Sequence, residues 1–515
     1  MGSFHPAATE AHCAAWLAQD RRRALLAQIG VGTLDQALLA ALPVRHAPLR
    51  LQGLAGKVLI VDEAHAFDPY MRRELVGLLR FHAALGGSAI LLSATLPREV
   101  RQKLVDAFRD GLGAERQAVV RQDYPLATLA AAGGIDETPC AVRDGLARRV
   151  VVTRLPDAAA ALERIAEAAR AGAAVAWVRN TVDEAIAAAE MLRALDLHPL
   201  LFHARFAMQD RLAIEAEVLR RFGRDSTGVG RRGVLVATQV IEQSLDLDFD
   251  LLVTDLAPAD LLIQRAGRLW RHQRAARPVA GPELLVISPE PVEQPPADWL
   301  AGSFAGTAAV YRDPALLWRS ARAVFERGAI VTPEDMRPLI EAAFDRDAPD
   351  AVPPDLAGAS GRARGREIAS VEVARQNVLD VWAGYDRNAG LWEPETRTPT
   401  RLEDRPEVTV RFGLLIDGAV IPYAGDSDLR RAWALSEVTV AQYRIAACPV
   451  PAGLEAAVAT ARAGWGAWER DSDRVLLAVL TEGGNGYTMA TNTESGASVT
   501  VRYDACVGLS WLPPA

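Results

Sequence analysis

Apolar and polar positions along the chain fall into an alternation of short continuous apolar runs and amphipathic stretches. Lys57 to Asp62 and Ser88 to Ser93 are apolar runs of strand length, and Asp68 to Leu85 and Pro97 to Phe108 carry helical spacing. The pattern predicts strand, helix, strand, helix, with the two strands buried on both faces as in a parallel sheet. Two strands do not make a self-sufficient sheet, so this stretch reads as the end of a doubly wound domain.

The same rhythm restarts further on. Strands are predicted at Val150 to Val152, Ala174 to Val178, Pro199 to Phe202, Val234 to Ala237, Leu251 to Asp255 and Leu284 to Ile287, alternating with helical segments. That is enough for a complete α/β domain. Pro289 to Pro296 reads as a linker, Ala315 to Arg327 and Pro333 to Asp345 as amphipathic helices, and Ala348 to Gly365, rich in Pro, Gly and Ala, as a flexible connection. A helix over Glu367 to Tyr385 follows. From about Arg401 the pattern mixes strands (Val408 to Ile421, Val475 to Leu480, Ser498 to Tyr503) with a helix near Leu454 to Ala467.

Composition narrows this only a little. The 515 residues are half apolar, which suits several folded domains. Four cysteines, Cys13, Cys140, Cys448 and Cys506, stand too far apart for a zinc pattern and are too few for a disulfide scaffold, so a reducing cytoplasm is expected. Neither an export leader nor a membrane span is predicted. The net charge of -8 argues against a nucleic-acid partner, but the basic residues are nearly all arginine and cluster at Arg21 to Arg23, Arg220 to Arg224, Arg231 to Arg232 and Arg265 to Arg274. Local basic surface is therefore available.

The chemistry lies where strands end. Asp62 and Glu63, in a VDEAH box, stand at the carboxyl end of a predicted strand, where open α/β sheets place their ligand crevice. ATP hydrolysis uses two such acids, one on the magnesium complex and one on the attacking water. An isolated match of this kind is usually an ordinary strand-end turn, and later motifs decide the matter. Ser93 and Thr95 of an SAT follow the next strand, and Asn180, Thr181, His203, Arg205 and Phe206 end strands of the second domain. Ala237 to Asp250, ATQVIEQSLDLDFD, crowds Gln239, Glu242, Ser244, Asp246 and Asp248 between two predicted strands. In QRAGRLWR, Gln264, Arg265, Gly267, Arg268 and Arg271 open or run along a helix, with Arg268 and Arg271 on one face and able to meet a phosphate. A phosphate-binding loop, GxxxxGK[ST], is missing: the only lysines are Lys57 and Lys103, and neither has its context.

These segments resemble the superfamily 2 DExH helicase of type I CRISPR systems, the CRISPR-associated helicase-nuclease. The resemblance rests on VGTLDQALLA, KVLIVDEAHAFD, LLSATLP, VRNTVDEA, LFHARF and VATQVIEQSLDLDFDLLVTDLAPADLLIQRAGRLWRH, and covers nearly the whole chain. It implies an α/β fold: a partial first RecA-like domain (1–115), a complete second one (116–290), a linker with helices (291–400) and a small α+β C-terminal domain (401–515). It implies ATP and Mg2+ as cofactors. Asp62 would be the magnesium acid and Glu63 the water-activating one; Gln264, Arg268 and Arg271 would meet phosphates, with Glu242 and Asp246 also beside the nucleotide. Ser93 and Thr95 would couple hydrolysis to movement, and Thr33, Asn180, Thr181, His203, Arg205 and Gln239 would lie along DNA.

The family's HD nuclease and phosphate loop should precede Trp16, so the resemblance implies an amino-terminally truncated chain with weak or no ATP hydrolysis and no nuclease of its own. Its expected partners are single-stranded DNA, the RNA-guided type I CRISPR surveillance complex, and a separate chain carrying the nuclease and the amino-terminal half of the motor; no membrane partner is expected. The expected role is unwinding foreign DNA and feeding it for degradation in antiviral defence. Two other classes compete: a non-enzymatic subunit binding nucleic acid or the guide complex, and another superfamily 2 helicase acting on RNA or DNA.

Overall fold

The computed structural model describes residues 21–511 apart from 143, 144, 146, 243, 244, 347, 349, 350, 381, 383–398, 403, 404, 484 and 485. Its α/β class is as expected. The chain divides into two compact units, one of residues 1–148, 331–352 and 357–402, the other of residues 149–330, 353–356 and 403–515.

In the first unit, β1 (Val58–Val61) and β2 (Ser88–Leu91) form a parallel two-stranded sheet with Val58 opposite Ser88 and Val61 opposite Leu91. One face packs on the helices Pro69–Ala84 and Arg98–Gly111 through Met71, Leu75, Leu78, Leu104 and Ala107. Helix Pro69–Ala84 starts where the sequence dictates: Asp68 caps it by accepting from the Met71 amide at 2.9 Å, and Pro69 supplies a helix-ready φ. The other sheet face is open, with Val58 59% and Ile60 61% exposed, so the expectation of strands buried on both faces is corrected. Apolar content announces a two-sided environment, but these residues cover only one side. An antiparallel hairpin, β3 (Leu126–Ala131) and β4 (Gly134–Pro139), was not predicted, because alanine, threonine and charge dilute its alternation.

Residues 357–377, expected to begin as a flexible connection, form a single helix, Ala357–Asn377. Gly358, Gly361 and Gly365 were misleading: a Cβ at Gly361 or Gly365 would meet nothing, and the surrounding Ala, Arg and Glu are good helix formers. Within its unit the residue that follows this helix, Val378, meets the first helix at Gly77, where a Cβ would stand 2.2 Å from it. Tyr385 lies outside the described residues.

The second unit holds a sheet in the order β11-β5-β10-β9-β6-β8-β7, formed by β5 (Arg148–Leu155), β6 (Ala174–Val178), β7 (Leu200–Phe202), β8 (Gly233–Ala237), β9 (Leu251–Asp255), β10 (Glu283–Ile287) and β11 (Ala329–Thr332). Every residue of β6 and β9 is buried, as the continuous apolar runs demand. Neighbours from β5 to β7 pair in parallel. The proline-rich stretch after β10 is pinned, since Trp299 donates to Glu290 O and Trp318 to Val292 O, both at 2.8 Å.

The same unit carries a second seven-stranded sheet, of β12 (Glu407–Ile416), β13 (Ala419–Pro422), β14 (Glu437–Ala441), β15 (Val475–Glu482), β16 (Tyr487–Asn492), β17 (Ser498–Asp504) and β18 (Gly508–Trp511). The single strand expected over Val408 to Ile421 is a hairpin turning at Asp417 and Gly418, both with positive φ. β12 shares one edge between β13 and β14 and runs parallel to β15 on the other.

Candidate functional site

Carboxyl ends of strands carry many of the predicted residues in both units. In the first, β1 runs out into Asp62 and Glu63 and β2 into Ser93 to Thr95. Glu63 adopts φ 51, a left-handed conformation uncommon for a non-glycine residue. Two bonds lock the turn: the Ala64 amide donates to Leu92 O at 2.9 Å, and the Glu63 amide to Asp62 Oδ1 at 2.9 Å. The strained turn leaves both residues exposed to solvent.

His65 then joins the two motifs. Its Nδ1 is 3.0 Å from Ser93 Oγ, and its Nε2 is 3.4 Å from Glu63 Oε2. Sequence reasoning assigned this histidine no role. Thr95 Oγ1 is buried and has no hydrogen-bond partner among the described residues, a hydroxyl held ready for a partner. Among the described residues no cluster of three or more metal-ligating side chains occurs. The exposed Asp62 carboxylate nevertheless fits Mg2+, which takes one or two protein carboxylates and completes its shell with water and substrate phosphate. Lys57 is engaged elsewhere, donating to Leu25 O at 2.9 Å and Ala27 O at 2.5 Å, and Lys103 pairs with Glu99. Thr33 is exposed at the start of helix Leu34–Leu38, and the nearby Asp35 is bound by Arg401 at 3.0 Å through both guanidinium arms.

In the second unit, Asn180 and Thr181 follow β6, His203 and Arg205 follow β7, and Gln239 follows β8. The parallel order β6-β8-β7 therefore brings all five to the carboxyl end of three neighbouring strands. Asn180 is buried, donating to Leu256 O at 2.8 Å and to Thr307 Oγ1 at 2.9 Å, and its carbonyl accepts from Gln239 at 2.9 Å. Thr181 caps helix Val182–Arg193 in a reciprocal box with Glu184.

Arg268 and Arg271 do not share a helix face, which corrects the expectation: the helix ends at Ala266, and both lie in the turn beyond. The cause is the bridge of Leu269 to Phe249, which draws the chain onto the loop before β9. There Arg268 donates to Glu242 O at 3.0 Å and Arg271 pairs with Asp246 at 2.8 Å. His272 also reaches Asp246, at 2.9 Å. Gln264 stays on the helix, Ala259–Ala266. The Glu242 carboxylate holds the fully buried Arg265, whose pKa rises because Glu242 and neighbouring groups outweigh the cost of burial. Asp248 and Asp250 are fully buried in a knot with Arg231, Arg274 and Arg277. Burial would raise the Asp248 carboxyl, yet these arginines hold it below the usual range. Ser244 lies outside the described residues.

The residues after β7 are also clasped by the C-terminal sheet, which no sequence signal revealed. His203 is buried and stacked on Phe206; its Nε2–H donates to Val507 O at 3.0 Å and its Nδ1 accepts from the Arg205 amide at 3.1 Å. Both ring nitrogens are satisfied only in the neutral form, and burial pushes its pKa down to about 3. Arg205 O accepts from the Leu509 amide at 2.8 Å. Arg205 and Arg444 both bind Asp183 and both lie against Trp511, with ring distances of 4.7 and 4.4 Å. Burial would raise Asp183, but the two arginines lower it to about 2. Arg444 and Arg405 also flank Tyr443, extending an arginine–aromatic surface.

A family described as "CRISPR-associated nuclease/helicase Cas3, C-terminal" matches residues 171–274, the stretch from β6 through the arginine turn. The CRISPR-associated endonuclease/helicase Cas3 of Escherichia coli is 38% identical over 349 residues, covering 65% of this chain and 38% of its own length. That of Thermus thermophilus is 37% identical over 446 residues, covering 76% of this chain and 46% of its own. The chain thus spans less than half of these curated relatives. A crystal structure of T. fusca Cas3 with ATP matches 96% of this chain and 58% of that one, with a TM-score of 0.78 and 29% identity. A chain from a CRISPR RNA-guided surveillance complex, pre-nicking, matches 98% of this chain and 63% of its own at TM-score 0.73 and 28% identity. With the acids and serine on strand ends and the arginines in the turn after helix Ala259–Ala266, the chain belongs to the CRISPR-associated nuclease/helicase Cas3 family.

Proposed function

We propose that this chain is the helicase part of a CRISPR-associated nuclease/helicase, coupling ATP turnover to movement along single-stranded DNA presented by an RNA-guided surveillance complex. The observation that carries the reading is His65, which sits between the acid pair and the SAT serine. A group touching both Glu63 and Ser93 can transmit a change at the nucleotide to the nucleic-acid track. In this reading Asp62 would hold Mg2+, which would supply neutralisation of phosphate charge when bound, and Glu63 orients the attacking water and takes its proton. Arg268 and Arg271, leaving Glu242 O and Asp246, neutralise phosphate charge, and Gln264 binds beside them. The strand ends carrying Asn180, Thr181, His203, Arg205 and Gln239 position the DNA strand, and Thr33 is a further DNA-binding residue of the first unit. Buried Asn180 and His203 act there by holding the backbone, and Arg205 by charge.

The RecA-like division at 1–115, 116–290, 291–400 and 401–515 belongs to the same proposal. So does the source of the phosphate-binding lysine: with Lys57 and Lys103 engaged, it comes from polypeptide outside these 515 residues, on a separate chain or a longer one. The open face of β1 and β2 is the natural seat for that segment.

The test is DNA-stimulated ATP turnover by this chain mixed or fused with a polypeptide supplying the phosphate loop. Turnover should appear on mixing, and Glu63→Gln should lower it by on the order of a hundredfold or more while nucleotide binding persists. An inert mixture, or a Glu63→Gln variant as active as the parent, would overturn the reading.

A further inference from the structure

Helices Pro69–Ala84, Arg98–Gly111 and Ala357–Asn377 of the first unit enclose a groove of about 300 Å3 that plays no part in the motor reading. Its lining includes the apolar Val76, Val100, Leu104, Ala107 and Val371. Leu104 and Ala107 belong to the unit's core, and Val76, Val100 and Val371 are the partly exposed apolar side chains of the groove. The lining is also basic: Arg72, Arg73, Arg80, Lys103 and Arg116 face Asp106 and Glu367. Those two acids are engaged, Glu367 with Arg346 at 2.7 Å and Asp106 with Gln102 at 2.8 Å. Arg80 and Arg116 share Asp110, at 3.0 and 2.8 Å, which leaves one carboxylate between two guanidiniums.

Arg73 stands apart. It is half-buried and has no hydrogen bond or ion pair among the described residues. Burial, then Arg80 and Arg375, bear on its charge unfavourably, and the smaller attraction of Glu372 opposes them. A guanidinium held beside other arginines over an apolar floor lacks a matching anion.

We infer that this groove docks an acidic amphipathic helix of a partner protein, its apolar side chains on the partly exposed Val76, Val100 and Val371 and its carboxylates on Arg73 and the Arg80–Arg116 pair. A nucleic acid or a small anion would satisfy the arginines but leave the apolar floor unburied. Helix-in-groove recognition uses both.

The experiment is fluorescence anisotropy of the full chain with a labelled synthetic helix carrying leucines at i, i+4 and i+7 and glutamates elsewhere. Saturable binding is expected, weakened roughly tenfold or more by Arg73→Glu and by Val371→Asp, and retained by Arg73→Lys. Circular dichroism melts of each variant separate lost docking from lost folding. The inference is overturned if the peptide does not bind, if its leucine-to-serine or glutamate-to-lysine version binds as well, if Arg73→Glu in a folded chain changes nothing, or if an oligonucleotide competes for the groove. None of these readouts involves ATP, so failure here leaves the motor reading standing.

Discussion

Single residues here do work that their neighbours in sequence do not explain. His203 is held neutral by a donor bond to Val507 O and an acceptor bond from the Arg205 amide. Its folded pKa lies near 3, below the ordinary 6.5, so the unfolded chain takes up its proton first as pH falls. Stability from this site is full above about pH 6.5 and is lost as pH drops toward 3, with a limiting slope of about 1.4 kcal/mol per pH unit. Thermal melts from about pH 7.5 to 5 should therefore fall more steeply for the parent than for His203→Gln; parallel curves would refute this. Glu74 shows the opposite sign. It is fully buried, and burial raises its carboxyl to about 8 from 4.5. Its contribution is present below pH 4.5 and lost as pH rises through 8, so Glu74→Gln should stabilise the first unit more at about pH 9 than at about pH 5, as read by melting temperature.

At the scale of elements, close approach decides which segments meet. Gly508 opens β18 with φ +77, and a Cβ there would stand 2.7 Å from both Arg205 O and His203 Cε1. Gly508→Val should cost on the order of 3 kcal/mol from the disfavoured φ and the clash, and should expose the C-terminal strand to limited proteolysis. Gly508→Ala should lie between it and the parent. Much of the element pattern was legible: the capped helix after Asp68 and the buried strands β6 and β9 follow from local chemistry. Less legible were β14, β16 and β18, whose polar residues alternate against a sheet that exists only once β12 and β15 pair in parallel. The helix Ala357–Asn377 was obscured for a different reason, since glycine content marks possible flexibility and propensity alone does not say which tendency wins.

Across the whole molecule, exposure marks where the fold is open. Val58, Ile60 and Ile90 lie on a parallel sheet with one bare face, an arrangement parallel sheets normally avoid. Ile60→Thr combined with Ile90→Thr should reduce binding of an apolar fluorescent dye while leaving the melting temperature nearly unchanged; a large loss of stability would mean that this face is packed in solution. By itself the sequence determined the α/β rhythm, the positions of the acids, serine and arginines relative to strands, and the family they resemble, because these rest on spacing and on residue types only a few positions apart. Only tertiary structure decided that Arg268 and Arg271 leave their helix for the loop holding Glu242 and Asp246, and that Asp248 and Asp250 serve a buried arginine knot. It also decided that His203 and Arg205 are clasped by residues some three hundred positions away. Ion pairs and clasps of that kind depend on which chain segments are brought together in space, and no local pattern encodes them.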